Sequence, residues 1–370
     1  MALGIGIVGL PNVGKSTLFN ALSGTAQAAA ANYPFCTIDP NVGIVPVPDR
    51  RLEKLSAMFK PRKTTPTALE FVDIAGLVAG ASKGEGLGNQ FLGNIRQVDA
   101  IAHVLRCFAD PDVVHVGGKV DPRGDRDVVE TELMLKDLES IEKRRERTVK
   151  ATKAAGKPGE QARAELAALD AVRGGLERGT PVRAQALSAE HRALLADLFL
   201  LTAKPVLYIA NVDEAQLGRA GTDPHVQAVK ALAESEKAEW VAISGKVESE
   251  LVALAPGERA DYLAALGLEE PGLDRLVHAG YRLLGLLTYF TVGEDECRAW
   301  TVRQGTLAPA AAGVIHSDFE HGFIKAEVIA YEDLVALGSE AAARTAGKLR
   351  MEGKEYVVKD GDVMHFRFNV

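Results

Sequence analysis

The chain has 370 residues, of which 47% are hydrophobic and 25% are charged. This is the composition of a globular protein, and the length favours two or three domains over one. The formal net charge of −7 offers no overall attraction to nucleic acid, so we expect no DNA partner, and any RNA contact must come from a local patch. No apolar run approaches the roughly 20 residues of a membrane span, and the N-terminus lacks a signal-peptide pattern, so we expect no membrane association. The three cysteines form no CxxC pair, which favours the cytoplasm over a disulfide-rich or zinc-binding protein.

A phosphate-binding loop is the clearest motif in the sequence. An apolar run at residues 3–8 predicts a buried strand, the sequence GLPNVGKST follows at residues 9–17, and helical spacing begins at residues 18–22. The order strand, GxxxxGKS, helix is the context of a P-loop, in which backbone N–H groups and the helix N-terminus bind phosphate oxygens. We therefore expect this segment to bind a nucleoside triphosphate, with Lys15 bridging the β- and γ-phosphates and the Ser16 hydroxyl on Mg²⁺.

Two further features follow in the order that is typical of a switch-type, GTPase-like domain. Residues 68–72 predict a strand that ends at Asp73, the first residue of a DxxG sequence. A carboxylate at a strand end can hold a Mg²⁺-bound water. Between the P-loop and this strand, Thr37 is the best candidate for a second hydroxyl ligand to Mg²⁺.

Hydrolysis needs a group that orients the attacking water. In many GTPase-like domains, a glutamine directly after the DxxG glycine does this. Leu77 takes that position here, and its side chain can neither donate nor accept a hydrogen bond. Hydrolysis must therefore use another group or be slow.

The expected base-binding motif is altered. A guanine-specific site normally presents Asn-Lys-x-Asp after a strand, whereas here a predicted strand ends in NVDE at residues 211–214. Val212 replaces the lysine, and Glu214 has an extra methylene where the aspartate would be, which weakens guanine selection. Asn211 and the backbone at Val212 offer an acceptor for the N6 amino group of adenine, and Ser244 is placed to close the base pocket. The motif therefore favours ATP, and a decayed guanine site is the alternative.

With these motifs, the sequence resembles the Obg-like ATPase family, YchF type, in the TRAFAC class of P-loop NTPases. The resemblance covers essentially the full chain, and it is carried by GLPNVGKSTLFNAL at 9–22, NYPFCTIDPN at 32–41, FVDIAGLVAGASKGEGLGNQFL at 71–92, NVDE at 211–214 and KDGDVMHFRFNV at 359–370. It implies an α/β fold with a P-loop, GTPase-like nucleotide domain at 1–124 and 204–284, an inserted α-helical coiled-coil arm at 125–203, and a C-terminal ubiquitin-like (β-grasp) TGS domain at 285–370. It also implies an ATPase with a translation-linked, ribosome-associated role.

The resemblance also implies roles for individual residues. Carried over by position, the phosphate-binding residues are Asn12, Val13, Gly14, Lys15, Ser16 and Thr17, the Mg²⁺ ligands are Ser16 and Thr37, and the residues facing adenine are Asn211 and Val212. The base motif adds Glu214 and Ser244 to the expected nucleotide site, and Asp73 would act on Mg²⁺ through a water. An asparagine at the place of Asn12 holds a monovalent cation in potassium-stimulated relatives, which makes K⁺ activation a hypothesis.

The family match points to His115 as a candidate catalytic residue, in addition to Lys15. His115 lies in a loop after a predicted strand at residues 100–108. A histidine can accept a proton near neutral pH, so it could orient or deprotonate the water that Leu77 cannot reach. A loop histidine with only a structural contact is the alternative.

The middle of the chain predicts helices. A charged stretch at 130–153 carries i,i+4 pairs, the sequence AGKPG at 155–159 breaks it, and helical spacing resumes at 161–176 and 188–201. Two antiparallel helices joined at this break would form a projecting arm. Near its tip, positive charge is concentrated in Lys143, Arg144, Arg145, Arg147, Lys150 and Lys153. This patch is either a solvated helix face or a contact for RNA phosphates.

The C-terminal region predicts a small mixed sheet around a helix. Helices are predicted at 272–287 and 331–337, and short strands at 288–292, 297–302, 324–329, 356–358 and 363–368. This order fits a ubiquitin-like fold and looks like a TGS domain. No catalytic cluster stands out in it, so we expect it to contact a protein or an RNA.

The preferred function is Mg²⁺-dependent ATP hydrolysis that acts as a conformational switch. Through contact with the large or small ribosomal subunit or its rRNA, the switch would modulate translation or a stress response. Two alternatives remain open: a nucleotide-gated RNA- or ribosome-binding module with incidental turnover, and a conventional GTPase. A turnover rate stimulated by ribosomes would favour the switch, and a preference for guanine would favour the GTPase.

Overall fold

The computed structural model describes residues 3–29, 41–74, 87–115 and 117–369, so Thr37 and Leu77 lie outside the described residues. The described chain forms two compact units. The first contains residues 3–24, 41–43, 70–74, 87–115 and 117–279, and the second contains residues 25–29, 44–69 and 280–369. Within these ranges, every helix is too short or too polar to serve as a membrane span.

The elements alternate between strands and helices over most of the chain. The strands are β1 Gly4–Val8, β2 Val42–Pro46, β3 Lys63–Thr65, β4 Ala68–Asp73, β5 Ala100–Arg106, β6 Val206–Asn211, β7 Glu239–Ile243, β8 Leu286–Thr291, β9 Glu296–Arg303, β10 Phe323–Ala330, β11 Arg350–Glu352 and β12 Asp362–Phe368. The helices are α1 Lys15–Ala29, α2 Arg50–Phe59, α3 Leu87–Gln97, α4 Pro122–Ala151, α5 Lys157–Glu177, α6 Ala189–Leu194, α7 Glu214–Leu217, α8 Pro224–Glu236, α9 Gly245–Ala253, α10 Pro256–Ala265, α11 Gly272–Leu283, α12 Ala308–Ile315, α13 Ser317–His321, α14 Tyr331–Leu337 and α15 Glu340–Thr345.

One six-stranded sheet has the order β2-β4-β1-β5-β6-β7. Strand β1 pairs in parallel with β4 and β5, and parallel pairing continues through β6 to β7. All residues of β1, β5 and β6 are buried, as expected for central strands of a parallel sheet that is covered on both faces. The carboxyl ends of these strands meet at one edge, where ligands bind in open α/β sheets. The predicted α/β architecture of this region is confirmed.

Helices α4 and α5 form the predicted helical arm. Helix α4 has 30 residues, which corresponds to a length of about 45 Å. Ion pairs join Glu142 to Arg173 and Arg144 to Glu165, both at 2.6 Å, so the two helices run in opposite directions. The arm therefore carries a long exposed surface, and its base lies in the first unit.

The predicted helix at residues 188–201 is wrong. Only α6 is an α-helix there, and much of the remaining segment folds as short 3-10 turns. Phe199 takes a left-handed backbone conformation with φ of 46°, which interrupts a helix. The N–H groups of Leu201 and Thr202 bind the carboxylate of Asp137 on α4, at 2.7 and 2.8 Å. A distant carboxylate therefore replaces the helical carbonyls that the local pattern predicts.

The second unit contains a six-stranded mixed sheet in the order β11-β10-β12-β8-β9-β3. Its core joins Tyr289, Phe323 and Val328 of the strands to Ala308 and Ala312 of α12. Small alanine side chains allow the helix to approach the sheet closely. This arrangement of sheet and helix agrees with the predicted ubiquitin-like fold.

Two predictions for the C-terminal region differ from the structure. The helix predicted at 272–287 is present as α11, but it ends at Leu283, because the chain turns at Gly285, which has φ of 62°. The described residues 356–358 form no strand, and only an isolated bridge involves Val357. The helix is thus shortened by a turn at its end, and the run at 356–358 lies between turns at 354–355 and 360–361.

Residues 44–69 also belong to the second unit. Strand β3 pairs in parallel with β9. At the start of α2, the guanidinium of Arg51 binds the carboxylates of Asp49 and Asp360 at 2.8 and 2.6 Å. The chain therefore enters the second unit between the P-loop and the DxxG sequence, which the local pattern does not predict.

Candidate active site

A cavity of about 980 Å³ lies where the chain leaves β1, β5, β6 and β7. Its lining includes most of the residues predicted to bind a nucleotide: Asn12, Gly14, Lys15, Ser16, Thr17, Asn211, Val212, Glu214 and Ser244. Other lining residues include Phe108, Ala109, Asp110, Val113, Asp213, Lys246 and Leu266. Among the described candidates, Val13, Asp73 and His115 do not line this cavity.

The P-loop backbone takes a conformation that few residues adopt. Asn12 and Gly14 have φ of 62° and 94°, in the left-handed region. A Cβ atom on Gly14 would lie 2.1 Å from Asn211 Nδ2, so a larger residue lacks the space as well. The carbonyl of Gly14 accepts the N–H of Leu18 at 3.0 Å. The loop therefore leads directly into the N-terminal end of α1, where the helix dipole favours a phosphate.

Lys15 has a buried amino group. Its Nζ donates to the carbonyl of Leu10 at 2.7 Å, and the side chain is 7% exposed. Burial lowers the pKa of Lys15 to about 8, and the charge of Asp73 opposes this shift. A triphosphate would supply anionic partners that favour the charged amino group.

Asp73 ends β4, and one of its carboxylate oxygens is buried. Its N–H donates to the carbonyl of Asn41 at 2.9 Å, while its buried Oδ1 has no hydrogen-bond partner among the described residues. Burial raises the pKa of Asp73, and the charge of Lys15 opposes this shift. A buried acceptor without a donor fits a water held by Mg²⁺, and the exposed Ser16 in the cavity offers an oxygen ligand. The residues present therefore fit a nucleotide-bound Mg²⁺.

Asn211 connects the end of β6 to the P-loop. Its side chain is almost fully buried. Nδ2 donates to the carbonyl of Val13 at 2.8 Å, and Oδ1 accepts the N–H of Gly245 at 3.1 Å. Both atoms have protein partners, although the oxygen keeps a second lone pair. The neighbouring Ser244 is fully buried and caps α9.

The residues after β6 are fixed by a short helix. Val212 is buried, and its N–H donates to the carbonyl of Ile243 at 2.9 Å. Asp213 and Gln216 form a capping box at the start of α7, in which the Asp213 carboxylate accepts the Gln216 N–H at 2.8 Å. Glu214 stays exposed at the cavity wall. The Asp213 carboxylate is thus bound to the helix, and Glu214 is the exposed carboxylate at the position of the guanine-binding aspartate.

His115 lies in the loop after β5 and is turned toward α4. Its Nε2 is 2.9 Å from Oδ2 of Asp125, and its Nδ1 accepts the N–H of Gly117 at 2.9 Å. The His115 and Asp125 side chains are 8% and 7% exposed. His115 does not line the cavity, whereas Val113 of the same loop does.

Sequence reasoning missed Arg106, which organises the loop of His115. Arg106 ends β5 and is fully buried. Its guanidinium donates to the carbonyls of Phe108 and Val113 at 3.1 and 3.0 Å, and it lies 4.5 Å from the centre of the Phe108 ring. An arginine at the end of an apolar strand is the one feature of the sequence that could have indicated this role. Its partners are backbone carbonyls, which every residue has, so the sequence does not identify them.

The fold and the cavity define a P-loop nucleotide hydrolase of the GTPase-like class. A family model described as 50S ribosome-binding GTPase matches residues 4–151, and a YchF GTPase C-terminal model, described as a protein of unknown function (DUF933), matches residues 286–369. The chain is 55% identical to the ribosome-binding ATPase YchF of Bacillus subtilis and 53% identical to that of Haemophilus influenzae, with 100% of each chain covered. It belongs to the YchF family.

A solved structure supports the same assignment. The structure of the Schizosaccharomyces pombe YchF GTPase matches with a TM-score of 0.90 and 40% identity, covering 99% of this chain and 97% of that chain. The predicted family resemblance and fold class are confirmed. In P-loop NTPases generally, Mg²⁺ is bound together with the nucleotide.

Proposed function

We propose that this protein is a Mg²⁺-dependent, ATP-hydrolysing switch that associates with the ribosome and modulates translation or a stress response. The two bacterial relatives are named ribosome-binding ATPases, whereas the Schizosaccharomyces pombe protein is named a GTPase. The base must therefore be argued from the site. One observation carries the choice of ATP: the segment after β6 lacks the lysine and the short, free carboxylate of a guanine site.

The wall formed by this segment favours adenine. Val212 stands where a guanine site has lysine, and it is buried. The Asp213 carboxylate caps α7, and Glu214 has a longer side chain that must be ordered before it can read a base. Phe108 and Leu266 add apolar surface to the same cavity. Apolar surface suits the faces of any base, and the longer Glu214 in place of the guanine-binding aspartate weakens the preference for GTP.

The phosphate end supplies the groups for hydrolysis. Lys15 would bind the β- and γ-phosphates, Ser16 would ligate Mg²⁺, and Asp73 would hold a Mg²⁺-bound water. Thr37 is the proposed second hydroxyl ligand. Bound Mg²⁺ neutralises charge on the phosphate oxygens. Lys15 adds positive charge where negative charge develops at the transferred phosphate.

His115 is the proposed group for the attacking water, because Leu77 replaces the usual glutamine. The loop of His115 already touches the P-loop, since Asn12 Nδ2 donates to the carbonyl of Val114 at 3.2 Å. We expect His115→Ala to lower kcat and to leave ATP affinity intact.

Asn12 is the proposed K⁺ residue. Turnover in KCl and in NaCl at equal ionic strength tests this proposal, since equal rates would remove K⁺ from the mechanism.

Ribosome association is proposed from the names of the relatives and from the tip of the arm. Arg144 and Arg145 bind Glu165 and Asp170, each at 2.6 Å, so their charges are paired inside the arm. Arg147, Lys150 and Lys153 are exposed near the tip and are the better candidates for RNA phosphates.

We also propose the domain division given by the sequence: a nucleotide domain at 1–124 and 204–284, an arm at 125–203 and a TGS domain at 285–370. The starts of α4 at Pro122 and of β8 at Leu286 lie within three residues of two of these boundaries, whereas residues 44–69 group with the second unit. Ribosome association would place the protein in the cytoplasm.

Competitive binding of ATP and GTP analogues in the presence of Mg²⁺ tests the base assignment. We expect ATP to bind at least about tenfold more tightly, a difference of about 1.4 kcal/mol. A preference for GTP would overturn the base argument and leave the phosphate site intact.

Cosedimentation with ribosomes tests the partner. We expect the combined Arg147→Glu, Lys150→Glu and Lys153→Glu variant to cosediment less and with a smaller salt dependence than the parent protein. Lys143→Glu is the matched control, because Lys143 is already paired with Glu139. Unchanged cosedimentation of the triple variant would exclude the tip as the RNA contact.

A further inference from the structure

Both nitrogens of the His115 ring have partners that fix the position of its proton. Nδ1 accepts the N–H of Gly117 at 2.9 Å, so it carries no proton in the neutral ring. The proton of the neutral ring is then on Nε2, which donates to Oδ2 of Asp125 at 2.9 Å. A general base needs a lone pair that faces its water. In this arrangement, the ring offers the cavity no such lone pair.

Asp125 belongs to the arm and not to the loop of His115. It lies in the first turn of α4, and its N–H donates to the carbonyl of Asp121 at 2.9 Å. The next residue, Arg126, forms an ion pair with Glu236 of α8. The carboxylate that holds His115 is therefore attached to the base of the long arm helix.

The loop that carries His115 also forms part of the cavity wall. Phe108 and Val113 line the cavity, and the carbonyl of Val114 accepts a hydrogen bond from Asn12 Nδ2 at 3.2 Å. The apolar side chain of Val114 is 76% exposed, so it adds little packing that would resist movement of the loop tip. A displacement of His115 must therefore move backbone that touches the P-loop.

We propose that Asp125 is a positioning residue that holds His115 out of the nucleotide cavity, and that loosening this contact at the base of α4 couples the arm to ATP turnover. This inference rests on the proposed function, in which His115 assists hydrolysis and the arm meets the ribosome. A displacement of α4 would act on the loop through the charge-assisted hydrogen bond between Asp125 and His115. When that bond opens, the ring keeps only the Gly117 contact of its own loop, and it can move with the loop toward the cavity.

A rival role for the same contact is found in Ser-His-Asp triads. There, the carboxylate holds one ring nitrogen so that the other can act as the base, and its loss lowers the rate. The geometry here opposes that role, because the second nitrogen of His115 binds Gly117 in its own loop. The two roles predict opposite signs when the carboxylate of Asp125 is removed.

The experiment compares ATP turnover of the full chain and its Asp125→Ala variant, with and without saturating ribosomes. We expect the variant to raise kcat without ribosomes by about tenfold, the size of one charge-assisted hydrogen bond. Its KM for ATP should stay unchanged, and its stimulation by ribosomes should shrink by the same factor. The double variant Asp125→Ala, His115→Ala should turn over as slowly as His115→Ala alone.

Two control variants separate this role from damage to the helix. Asp121→Ala removes the cap that accepts the Gly124 N–H at 3.1 Å, at the same helix end but without contact to His115. Asp127→Ala removes an exposed carboxylate that pairs with Arg126 at 2.9 Å. Neither control should raise the rate without ribosomes. If Asp121→Ala raises it as much as Asp125→Ala, fraying of α4 is the cause and the proposal is wrong.

A second measurement locates the proton on the His115 ring directly. Long-range ¹H–¹⁵N NMR of the histidine side chains should show the Nε2–H form of His115 in the parent protein. In Asp125→Ala, where the ring is expected to leave the Gly117 N–H as well, it should show a mixture of both neutral forms. A fall in kcat for a folded Asp125→Ala protein would support the triad role and overturn the proposal. So would an unchanged kcat together with an unchanged proton position. If the parent protein neither hydrolyses ATP nor responds to ribosomes, the proposed function fails, and the NMR result alone decides whether Asp125 fixes the ring.

Discussion

The charges of the nucleotide cavity and the charges at the base of the arm differ in how fully the chain provides partners for them. Near the cavity, Lys15 donates to one backbone carbonyl at 2.7 Å, and Oδ1 of Asp73 has no partner among the described residues. At the arm base, Asp137 accepts three hydrogen bonds from Leu201 and Thr202, at 2.7 to 2.8 Å. Incomplete partners indicate that a ligand completes the site, whereas complete partners indicate a structural role.

The arm base extends this pattern through a second buried cluster. Arg183 makes two hydrogen bonds with Glu130, at 2.9 and 2.7 Å, and a further one with Glu236 at 3.2 Å. Tyr208 of β6 also donates to Glu236, at 2.9 Å. This cluster links the arm helix to the strand that ends beside the P-loop. Changes at the arm base should therefore reduce folding stability, and changes in the cavity should reduce ligand binding.

The largest expected effect is the loss of stability in Asp137→Ala. The change leaves two backbone N–H groups and one hydroxyl without their acceptor, so we expect the free energy of unfolding to fall by about 3 kcal/mol. Urea unfolding, with hydrogen exchange of α4 and α5, measures this loss. Asp170→Ala is the matched control, because its pair with Arg145 is half exposed and should contribute less than about 1 kcal/mol. Equal losses in the two variants would contradict the comparison.

In Asp73→Asn, we expect weaker binding of Mg²⁺-ATP without a loss of folding stability. Burial raises the pKa of Asp73, and its Oδ1 has no partner among the described residues, so removing its charge should leave the stability of the free protein unchanged or slightly higher. The Mg²⁺ concentration needed for half-maximal ATP binding should rise by about tenfold, because a carboxylate partner of the metal-bound water is lost. Glu70→Gln on the same strand is the control, and its Mg²⁺ requirement should match that of the parent. A Mg²⁺ requirement in Asp73→Asn equal to the parent's would remove Asp73 from the metal site.

The phosphate end of the site could be predicted from the sequence because its physics is local. The backbone of Asn12 and Gly14, the adjacent Lys15 and the start of α1 all lie within a few residues of each other. Five of the six strands of the first sheet were also predictable, because most of their residues are apolar, whereas β2 was not predicted. A short segment with glycine in the left-handed region and a helix directly behind it has few alternative structures.

The rest of the site depends on contacts between distant residues. Asn211 binds Val13, which is 198 positions away, and the acceptor of Thr202 is 65 positions away. The turn of His115 toward Asp125 is set by an element that begins after the loop. Side-chain types suggest that such polar residues need partners, but their identity follows only from the packing of helices and strands. The broken helix before Thr202 has the same cause.

The affinity for ATP is expected to depend on pH through Lys15 in the cavity. Burial lowers the pKa of Lys15 from 10.5 to about 8. Between about pH 8 and pH 10.5, the folded chain has lost a proton that the unfolded chain retains. The contribution of Lys15 to stability therefore rises with pH in this range. Phosphates bind the protonated form. The affinity for ATP should therefore fall above about pH 8, by about tenfold for each further pH unit. Binding constants measured between pH 7 and pH 9.5 check this, and Lys15→Arg should show a flat profile because arginine stays charged. A flat profile in the parent protein would show that burial does not perturb Lys15.

The smallest effect is expected for Lys143→Ala, which lies on the same helix as Asp137. Lys143 is 70% exposed and pairs with Glu139 at an i,i+4 spacing. Glu139 also binds Lys136 at 2.7 Å, and together the two lysines lower the pKa of Glu139 to about 2. Because solvent screens this exposed group and one partner remains, the free energy of unfolding should fall by less than about 0.5 kcal/mol, and the difference should vanish in high salt. A loss close to that of Asp137→Ala would mean that the number of ionic partners matters more than burial. A negligible loss, beside the large loss in Asp137→Ala, would show that the buried contacts of α4 contribute more to its stability than its exposed ion pairs do.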